Sequence, residues 1–213
     1  FVKTNILGSQ NLIEACLDNN PENVIAISTD KAVSPINLYG ATKLASDKLF
    51  LAANNIKGKR KVKFSVARYG NVMASRGSVI PFFIEQSKKG YLPITDLNMT
   101  RFNISITDAV NFVIWTLQKN IGGEIFIPKM PSYRITDLAK AVDNKSIVKE
   151  VGIRPGEKIE EELLSKAENY KTIDLGNCYV VVGTTNDKTE KYYSTKKFIR
   201  LKEDFLYTSG TNE

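Results

Sequence analysis

Residues 24–55 read VIAISTDKAVSPINLYGATKLASDKLFLAANN, and this stretch decides the fold. Four apolar residues, 24–27, run directly into polar ones, as at the end of a buried strand. After a short loop that contains Pro35, apolar residues recur at helical spacing from Tyr39 onward. A strand, a loop and an amphipathic helix in this order form the repeating unit of an α/β fold. The stretch therefore predicts a strand at Val24–Ser28 and a helix that begins near Tyr39.

The rest of the chain continues this alternation of helices and strands. We predict further helices at about 4–19, 79–89, 105–119, 135–142 and 157–164, and further strands at 64–69, 124–128, 147–151 and 179–182. Thr107 and Asp108 suit the first turn of helix 105–119, Thr136 suits the cap of helix 135–142, and residues 184–191 suit a polar loop. Long amphipathic patterns become scarce after about Lys145. The chain therefore changes character there.

The loop between the first strand and its helix concentrates groups that transfer protons. Thr29, Asp30 and Lys31 lie where the strand ends, and Tyr39 and Lys43 stand four residues apart on one helix face. A free phenol ionises only near pH 10, but a cation about 4 Å away contributes about 4 kcal/mol toward the phenolate at an effective dielectric of 20. By itself Tyr-x-x-x-Lys is also typical of an exposed helical pair. The polar run beside it favours an active site.

The composition excludes several kinds of chemistry. The 213 residues include no histidine, which rules out Ser-His-Asp and Cys-His catalysis and histidine metal ligands within this sequence. Proton transfer is left to Tyr, Lys, Asp and Glu, and we expect no metal site. Two cysteines, Cys16 and Cys178, are too few for a disulfide framework and favour a reducing, cytoplasmic compartment. No run of 18 apolar residues occurs, so we expect no membrane span.

The net charge of +7 raises the question of nucleic acid as a partner. The densest basic run, residues 57–63, reads KGKRKVK and contains no aromatic residue. Single-strand binders need aromatic platforms on which bases stack. The run therefore indicates a solvated turn, and we expect no nucleic acid partner.

Nine stretches, in chain order, resemble the extended short-chain dehydrogenase/reductase superfamily and, within it, the inverting UDP-N-acetylglucosamine 4,6-dehydratases. They are FVKTNILGSQNLIEAC (1–16), STDKAVSPINLYGATKLASDKLF (28–50), SVARYGNV (65–72), SRGSVIPFF (75–83), PITD (93–96), MTRF (99–102), GGEIFIPKMPS (122–132), ITDLAKA (135–141) and GIRPGEK (152–158). The resemblance implies an α/β fold: the C-terminal part of a Rossmann-type doubly wound parallel sheet with a small α/β substrate-binding lobe. It assigns residues 1–145 to a partial Rossmann core with interleaved lobe segments, and residues 146–213 mainly to the lobe.

The glycine-rich turn that binds a dinucleotide pyrophosphate does not precede the first predicted strand. That turn normally opens the first β-α unit of a Rossmann fold. We therefore expect a fragment that lacks the first half of the domain, about a hundred residues by analogy, and that is also cut at its C-terminal end.

The resemblance also implies a reaction and its residues. The reaction is the NADP-dependent 4,6-dehydration of UDP-N-acetylglucosamine with inversion at carbon 5, the first step of pseudaminic-acid-type sugar synthesis, as for flagellin glycosylation. Tyr39 would take the 4-hydroxyl proton, and Asp30 and Lys31 would carry elimination and inversion. Lys43 would hold the nicotinamide ribose, and Thr29 would orient the sugar.

The remaining implied contacts divide between cofactor and substrate. Cofactor contacts are expected from Ser28, Thr29, Tyr39, Lys43 and Val72, and substrate contacts from Asn71, Arg76, Gly77, Ser78, Val79, Ile80, Arg101, Arg154 and Glu157. NADP is the expected cofactor, with NAD as the alternative, and a UDP-sugar is the expected small-molecule partner. A homo-oligomer is expected for the full-length protein.

Two departures and two alternatives stay open at this point. Asn103 stands where the family usually has Trp, and Glu160 or Glu161 stands where it commonly has His. The first alternative is a UDP-sugar 4-epimerase of the same superfamily, which needs little beyond Tyr39, Lys43 and a nearby hydroxyl. The second is a non-catalytic Rossmann nucleotide-binding module. The acid and second base of an elimination favour the dehydratase.

Overall fold

The computed structural model describes residues 1–182, 187–194, 199–202 and 204–212. A π-helical stretch at Val2–Leu7 runs on into the first of the α-helices, which are α1 (Gly8–Asn19), α2 (Leu38–Ile56), α3 (Val79–Ser87), α4 (Ile106–Lys119), α5 (Ile135–Val142), α6 (Lys166–Asn169) and α7 (Asp187–Ser194). The strands are β1 (Asn23–Thr29), β2 (Lys63–Tyr69), β3 (Asn71–Val72), β4 (Tyr91–Ile94), β5 (Thr100–Ile104), β6 (Ile125–Pro128), β7 (Ser132–Arg134), β8 (Ile147–Glu150), β9 (Glu162–Leu164), β10 (Thr172–Asp174), β11 (Cys178–Val181), β12 (Ile199–Arg200) and β13 (Tyr207–Thr208).

The main sheet has the strand order β1-β2-β6-β11-β10-β12. Strands β1, β2 and β6 are parallel, and β11, β10 and β12 continue the sheet in antiparallel pairings. The β1–β2 register runs from Asn23 opposite Lys63 to Thr29 opposite Tyr69, so both strands end at the same level. The predicted α/β fold with parallel strands is confirmed.

Smaller sheets lie outside the main one. Strands β3, β5 and β7 form a three-stranded sheet, β4 pairs with β8, and β9 pairs with β13. Strand β8 thus pairs with an earlier part of the chain, whereas β10, β11 and β12 join the main sheet. These strands extend the main sheet because the edge of β6 offers β11 a pairing partner. The assignment of residues 146–213 mainly to a substrate-binding lobe stays a prediction.

Three local predictions were wrong. Residues 157–164 do not form a charged helix: the segment ends in β9, whose Leu163 and Leu164 are buried, and pairing with β13 overrides its helical composition. The polar loop expected at 184–191 overlaps α7, although residues 183–186 lie outside the described residues. Thr136 is not the cap of α5, because that helix begins at Ile135 and its cap position is Arg134.

The described chain packs around separate apolar centres. The largest lies under β1, β2 and β6 and includes Phe50, Phe64 and Ile125. A smaller one joins α3, β4 and α5 through residues such as Phe83 and Leu92. No helix in the described ranges is long and apolar enough to cross a membrane.

Helix α2 starts in close contact with the loop before it. The Asn37 side chain caps the helix by accepting a hydrogen bond of 2.8 Å from the Gly40 backbone N–H. A Cβ atom at position 40 would overlap the Lys31 carbonyl oxygen and lie 3.0 Å from the Pro35 Cβ. Glycine at position 40 therefore lets the helix that carries Tyr39 lie against the loop that carries Lys31.

Replacing Gly40 by Ala is expected to destabilise the chain by about 1–3 kcal/mol, as overpacking typically does. The matched control is Gly8→Ala, because Gly8 has helical backbone angles and a Cβ there would lie 3.5 Å from the Lys3 carbonyl oxygen, an ordinary van der Waals contact. This control should be neutral or stabilise by up to about 1 kcal/mol. Denaturant unfolding measures both, and equal stability of the two variants would contradict the close contact.

The two cysteines are expected to react at very different rates. Burial raises the pKa of the Cys178 thiol to about 12, with a smaller contribution from Asp174. Because the thiolate is the reactive form, a thiol reagent at pH 8 should leave Cys178 unmodified until the chain unfolds. Labelling of a Cys16→Ser variant followed by mass spectrometry isolates Cys178; rapid modification of the folded variant would contradict its burial.

Candidate active site

The polar run after β1 folds into a single tight turn. Thr29 is still extended, and a 3-10 turn follows at Asp30–Ala32. One carboxylate oxygen of Asp30, Oδ1, accepts hydrogen bonds from the Thr29 hydroxyl at 2.8 Å, the Lys31 backbone N–H at 3.0 Å and the Lys31 ammonium at 3.0 Å. The turn therefore fixes Asp30 and Lys31 relative to each other.

The Lys31 ammonium is surrounded by oxygen acceptors. Besides Asp30, it donates to Asn71 Oδ1 at 3.0 Å, and Glu161 Oε1 lies 3.7 Å away. Burial alone lowers the pKa of Lys31, but the carboxylates of Asp30 and Glu161 outweigh burial and raise it. Lys31 is therefore a cation whose position is set by three other residues.

Asp30 itself is buried below the site. Its side chain is 0% exposed, and its second oxygen, Oδ2, has no hydrogen-bond partner among the described residues. Gly70 lies beside that oxygen, and a Cβ at Gly70 would come within 2.5 Å of the Phe102 Cβ and 2.7 Å of the Met130 Cε. Any side chain larger than that of glycine would overlap these neighbours at position 70. The buried Asp30 is connected to the cavity by its contact with Lys31, which lines it.

Tyr39 and Lys43 lie on the other side of the same opening. Tyr39 is half-buried and its ring meets the Phe1 ring edge-on at a centroid distance of 5.4 Å. The Lys43 ammonium donates to the Ile27 carbonyl oxygen at 2.7 Å. Helix α2 thus presents a phenol and a cation at the end of β1.

These groups face one cavity of about 780 Å³, which is within the range of small-molecule sites. The predicted site residues that line it are Ser28, Thr29, Lys31, Tyr39, Lys43, Asn71, Val72, Arg76, Gly77, Ser78, Val79, Ile80, Arg101, Arg154 and Glu157. Of the predicted set, the buried Asp30 is the member that does not line the cavity. Residues far apart in sequence are therefore brought to one place.

The lining residues Ser28 and Arg101 also form hydrogen bonds within the protein. The Ser28 hydroxyl donates to Asp47 at 2.7 Å, and Asp47 lies 3.6 Å from the buried Arg68 guanidinium. The Arg101 guanidinium donates to the carbonyl oxygens of Thr100 and Ile159 at 2.7 and 3.1 Å. Roles of Ser28 toward a cofactor and of Arg101 toward a phosphate stay predictions.

The 152–158 loop is fastened over the start of α2. The Asn37 amide, whose oxygen caps α2, donates to the Gly156 carbonyl oxygen at 2.9 Å. The Lys158 ammonium donates to the Val33 carbonyl oxygen at 2.7 Å. Arg154 is exposed at the cavity, and its backbone N–H is 3.4 Å from a Glu157 carboxylate oxygen. These ties bring Arg154 and Glu157 to the cavity.

The start of α3 forms another part of the wall. Ser78 occupies the cap position without a side-chain capping bond, and within the part of the chain that the structure describes its buried hydroxyl oxygen has no hydrogen-bond partner. Gly77 has a φ of +76°, and no atom lies within 4 Å of where its Cβ would be. Helix N-termini have free N–H groups that suit anions, and Arg76 adds a cation beside them.

Sequence reasoning missed two members of the site. Glu161 was noted only as a departure from the family pattern, yet its carboxylate lies 3.7 Å from Lys31 and 3.9 Å from Arg101. Burial, followed by the nearby Asp30 charge, raises the pKa of Glu161. Tyr133 lines the cavity because β7 pairs it with Arg101 on β5, and no local pattern marks that pairing. Asn103, the other departure, also lines the cavity.

A parallel α/β sheet with Tyr and Lys four residues apart at the carboxyl end of its first strand defines a protein of the short-chain dehydrogenase/reductase type. The chain belongs to the polysaccharide biosynthesis protein family, whose model matches residues 1–183. This assignment confirms the resemblance noted in the sequence.

Individual relatives agree with the family assignment. A UDP-N-acetylglucosamine 4,6-dehydratase (inverting) from Campylobacter jejuni is 49% identical over 99% of this chain and 65% of that protein. A UDP-glucose 4-epimerase from Rickettsia bellii is 43% identical over 96% of this chain and 62% of that protein. The structure of Pen from Bacillus thuringiensis matches 100% of this chain and 64% of its own with a TM-score of 0.88 and 33% identity. The chain thus spans slightly less than two thirds of each.

Variants of Asn37 are expected to separate the helix cap from the loop contact. Asn37→Asp keeps an oxygen for the Gly40 N–H but loses the donor to Gly156, so stability should change little while amides in 152–158 exchange faster. Asn37→Ala loses both contacts and should cost about 1 kcal/mol as well. Hydrogen exchange and denaturant unfolding check this pair, and unchanged exchange in both variants would show that the loop is held elsewhere.

Proposed function

We propose that this chain is the catalytic and substrate-binding part of an inverting UDP-N-acetylglucosamine 4,6-dehydratase that uses a nicotinamide dinucleotide. The observation that carries the proposal is a set of two acid-base pairs, Tyr39 with Lys43 and Lys31 with Asp30. Tyr39, Lys43 and Lys31 line one cavity, and the buried Asp30 carboxylate lies 3.0 Å from the Lys31 ammonium. An oxidation needs one such pair. A dehydration needs both.

The two pairs divide the reaction between them. Tyr39 takes the 4-hydroxyl proton, and Lys43 lies on the same helix at the same cavity. The ketone formed at carbon 4 acidifies the proton on carbon 5. Asp30 and Lys31 then serve the loss of water across carbons 5 and 6 and the return of a proton to carbon 5. Asn71 and Asp30 hold Lys31 in place at hydrogen-bond distance.

The cofactor would occupy the part of the cavity at the end of β1. When bound, it accepts hydride from carbon 4 and returns hydride to carbon 6. Lys43 and Tyr39 would meet its ribose, Thr29 and the Val72 backbone would lie near the nicotinamide, and Ser28 would support the wall from below. Lys43 lines this part of the cavity, and its ammonium is held there by the hydrogen bond to the Ile27 carbonyl oxygen. An ammonium in this position suits a ribose hydroxyl as a further hydrogen-bond partner.

The substrate diphosphate would lie between the start of α3 and the 152–158 loop. Arg76 and Arg154 are exposed cations there, and guanidinium groups bind phosphate oxygens in pairs. Residues 77–80 supply the helix N-terminus, Asn71 a side-chain amide, and Glu157 an acceptor for a ribose hydroxyl. Arg101, which also lines the cavity, would add a further positive charge near the diphosphate.

Finer features belong to the same proposal. NADP is the preferred cofactor, with NAD as the alternative. The product, a UDP-linked 4-keto-6-deoxy hexose, would enter pseudaminic-acid-type sugar synthesis and flagellin glycosylation. The full-length enzyme would act in the cytoplasm as a homo-oligomer.

A second candidate is a UDP-sugar 4-epimerase. The 43% identity to the Rickettsia bellii protein favours it, since that relative shares most of this chain's length. The two reactions share the first oxidation and differ afterwards, because epimerisation returns hydride to carbon 4 and loses no water.

The test is a chimera in which this chain replaces the matching part of the Campylobacter jejuni enzyme. Incubation with UDP-N-acetylglucosamine and NADP, followed by mass spectrometry and NMR, distinguishes the candidates. A product lighter by one water, with a methyl group at carbon 6, supports the dehydratase. A product of unchanged mass with inverted carbon 4 supports the epimerase, and no turnover by a folded, cofactor-loaded chimera supports a binding module.

Two variants of the chimera are expected to fail at different steps. Tyr39→Phe keeps the ring against Phe1 but removes the proton acceptor, so hydride transfer should fall by about 100- to 10,000-fold. Lys31→Ala should keep cofactor reduction yet release no dehydrated product. Single-turnover absorbance of the nicotinamide measures the first step and mass spectrometry the second. Near-normal turnover by Tyr39→Phe would refute the mechanism.

A further inference from the structure

The carboxylate of Glu161 occupies a place that the proposed reaction leaves without a role. Its side chain is 4% exposed and lies behind Lys31, away from the cavity lining. One oxygen, Oε1, is 3.7 Å from the Lys31 ammonium and 3.9 Å from the Arg101 Nε. The other, Oε2, is buried and has no hydrogen-bond partner in residues 1–182, 187–194, 199–202 and 204–212. Burying a carboxylate costs free energy unless the carboxylate is paired with a nearby opposite charge.

Glu161 is held in this place by its backbone. Its backbone N–H donates to the Ser209 hydroxyl at 2.9 Å, and its carbonyl oxygen accepts from the Ser209 N–H at 2.9 Å. The segment before β9 is thereby tied to the end of the described chain. The carboxylate therefore lies at a fixed distance from Lys31.

The charges around Lys31 come from several elements. Asp30 faces it from the 3-10 turn, Glu161 from the segment before β9, Arg101 from β5 and Tyr133 from β7. Lys158 also acts on the Glu161 carboxylate. Without Glu161, Asp30 would be the one carboxylate among the described residues within 4 Å of the Lys31 ammonium. With Glu161, the ammonium has a carboxylate on two different elements.

We propose that Glu161 is a positioning residue that keeps Lys31 charged and directed at the substrate. This inference rests on the proposed function, in which Lys31 is the group that meets the sugar. A charged amine has no lone pair, so Lys31 cannot remove a proton before it has passed one on. The first proton transfer that involves Lys31 is therefore a donation, either to Asp30 at 3.0 Å or to the substrate. Glu161 sets how readily that donation occurs.

The direct test measures the protonation of Lys31 in the 213-residue chain without any turnover. Trace acylation with acetic anhydride modifies only uncharged amines, and mass spectrometry reads each lysine separately. In Glu161→Gln, Lys31 should be acylated about tenfold faster at a pH where it is mostly charged. We expect this small effect, at the low end of what loss of a neighbouring opposite charge causes, because the Lys31 side chain is 33% exposed. Lys43, on the same cavity, is the internal reference and should not change.

The matched control is Glu160→Gln, which makes the same chemical change one residue away. Glu160 is exposed and its carboxylate accepts from the Thr208 hydroxyl at 3.0 Å, so it should leave the Lys31 rate unaltered. An unchanged Lys31 rate in Glu161→Gln would overturn the inference. So would a rise shared by Lys43, or one reproduced by Glu160→Gln, because either would indicate a general loosening of the fold.

A kinetic arm separates this inference from the proposed function. In the active chimera, Glu161→Gln should move the pH profile of the elimination step to lower pH, while the rate of cofactor reduction and the KM stay close to those of the parent. Glu161→Asp, which restores the charge, should return the profile part of the way. A chimera without turnover refutes the dehydratase, whereas an unmoved profile in an active chimera refutes the role of Glu161.

Discussion

The in-register parallel pairing of β1 with β2 is the constraint on which the site depends. Because Thr29 lies opposite Tyr69, the two strands release the chain at the same level. Asp30 and Lys31 leave one strand just where Gly70 and Asn71 leave the next, and the Lys31–Asn71 hydrogen bond of 3.0 Å joins them. A shift of one residue would turn every side chain of β1 to the opposite face of the sheet. The acid-base cluster is thus a product of strand register.

Buried ion pairs connect strand β2 to helices α2 and α6. The Arg68 guanidinium, at the end of β2, binds both carboxylate oxygens of Glu168 at 3.0 and 3.1 Å and lies 3.6 Å from Asp47 on α2. Asp47 in turn accepts from the Ser28 hydroxyl. Removing one partner of such a buried set leaves an uncompensated charge and typically costs about 3–5 kcal/mol. The set therefore fixes α2, which carries Tyr39, against β1 and β2, and the turn that carries Lys31 follows directly after β1.

The sequence predicted the parts of this molecule that depend on local pattern. The strand before Ser28 and the helix after Asn37 follow from apolar spacing, and the motif residues around Lys31 and Tyr39 do converge on one cavity. What failed depends on distant partners: Leu163 and Leu164 form a strand because β13 lies beside them, against a helical composition. Glu161 escaped notice for the same reason. No residue near Glu161 in sequence indicates that its carboxylate lies within 4 Å of both Lys31 and Arg101.

Asn37 uses its two side-chain atoms for separate purposes, with the oxygen bound to Gly40 and the nitrogen to Gly156. The bond to Gly156 can break while the bond to Gly40 stays intact. The segment that holds Arg154 is also tied through Lys158 to the Val33 carbonyl oxygen at 2.7 Å, so its position does not rest on Asn37 alone. Because two different atoms of Asn37 make the two contacts, the start of the helix that carries Tyr39 would stay capped if the contact with the 152–158 loop were lost.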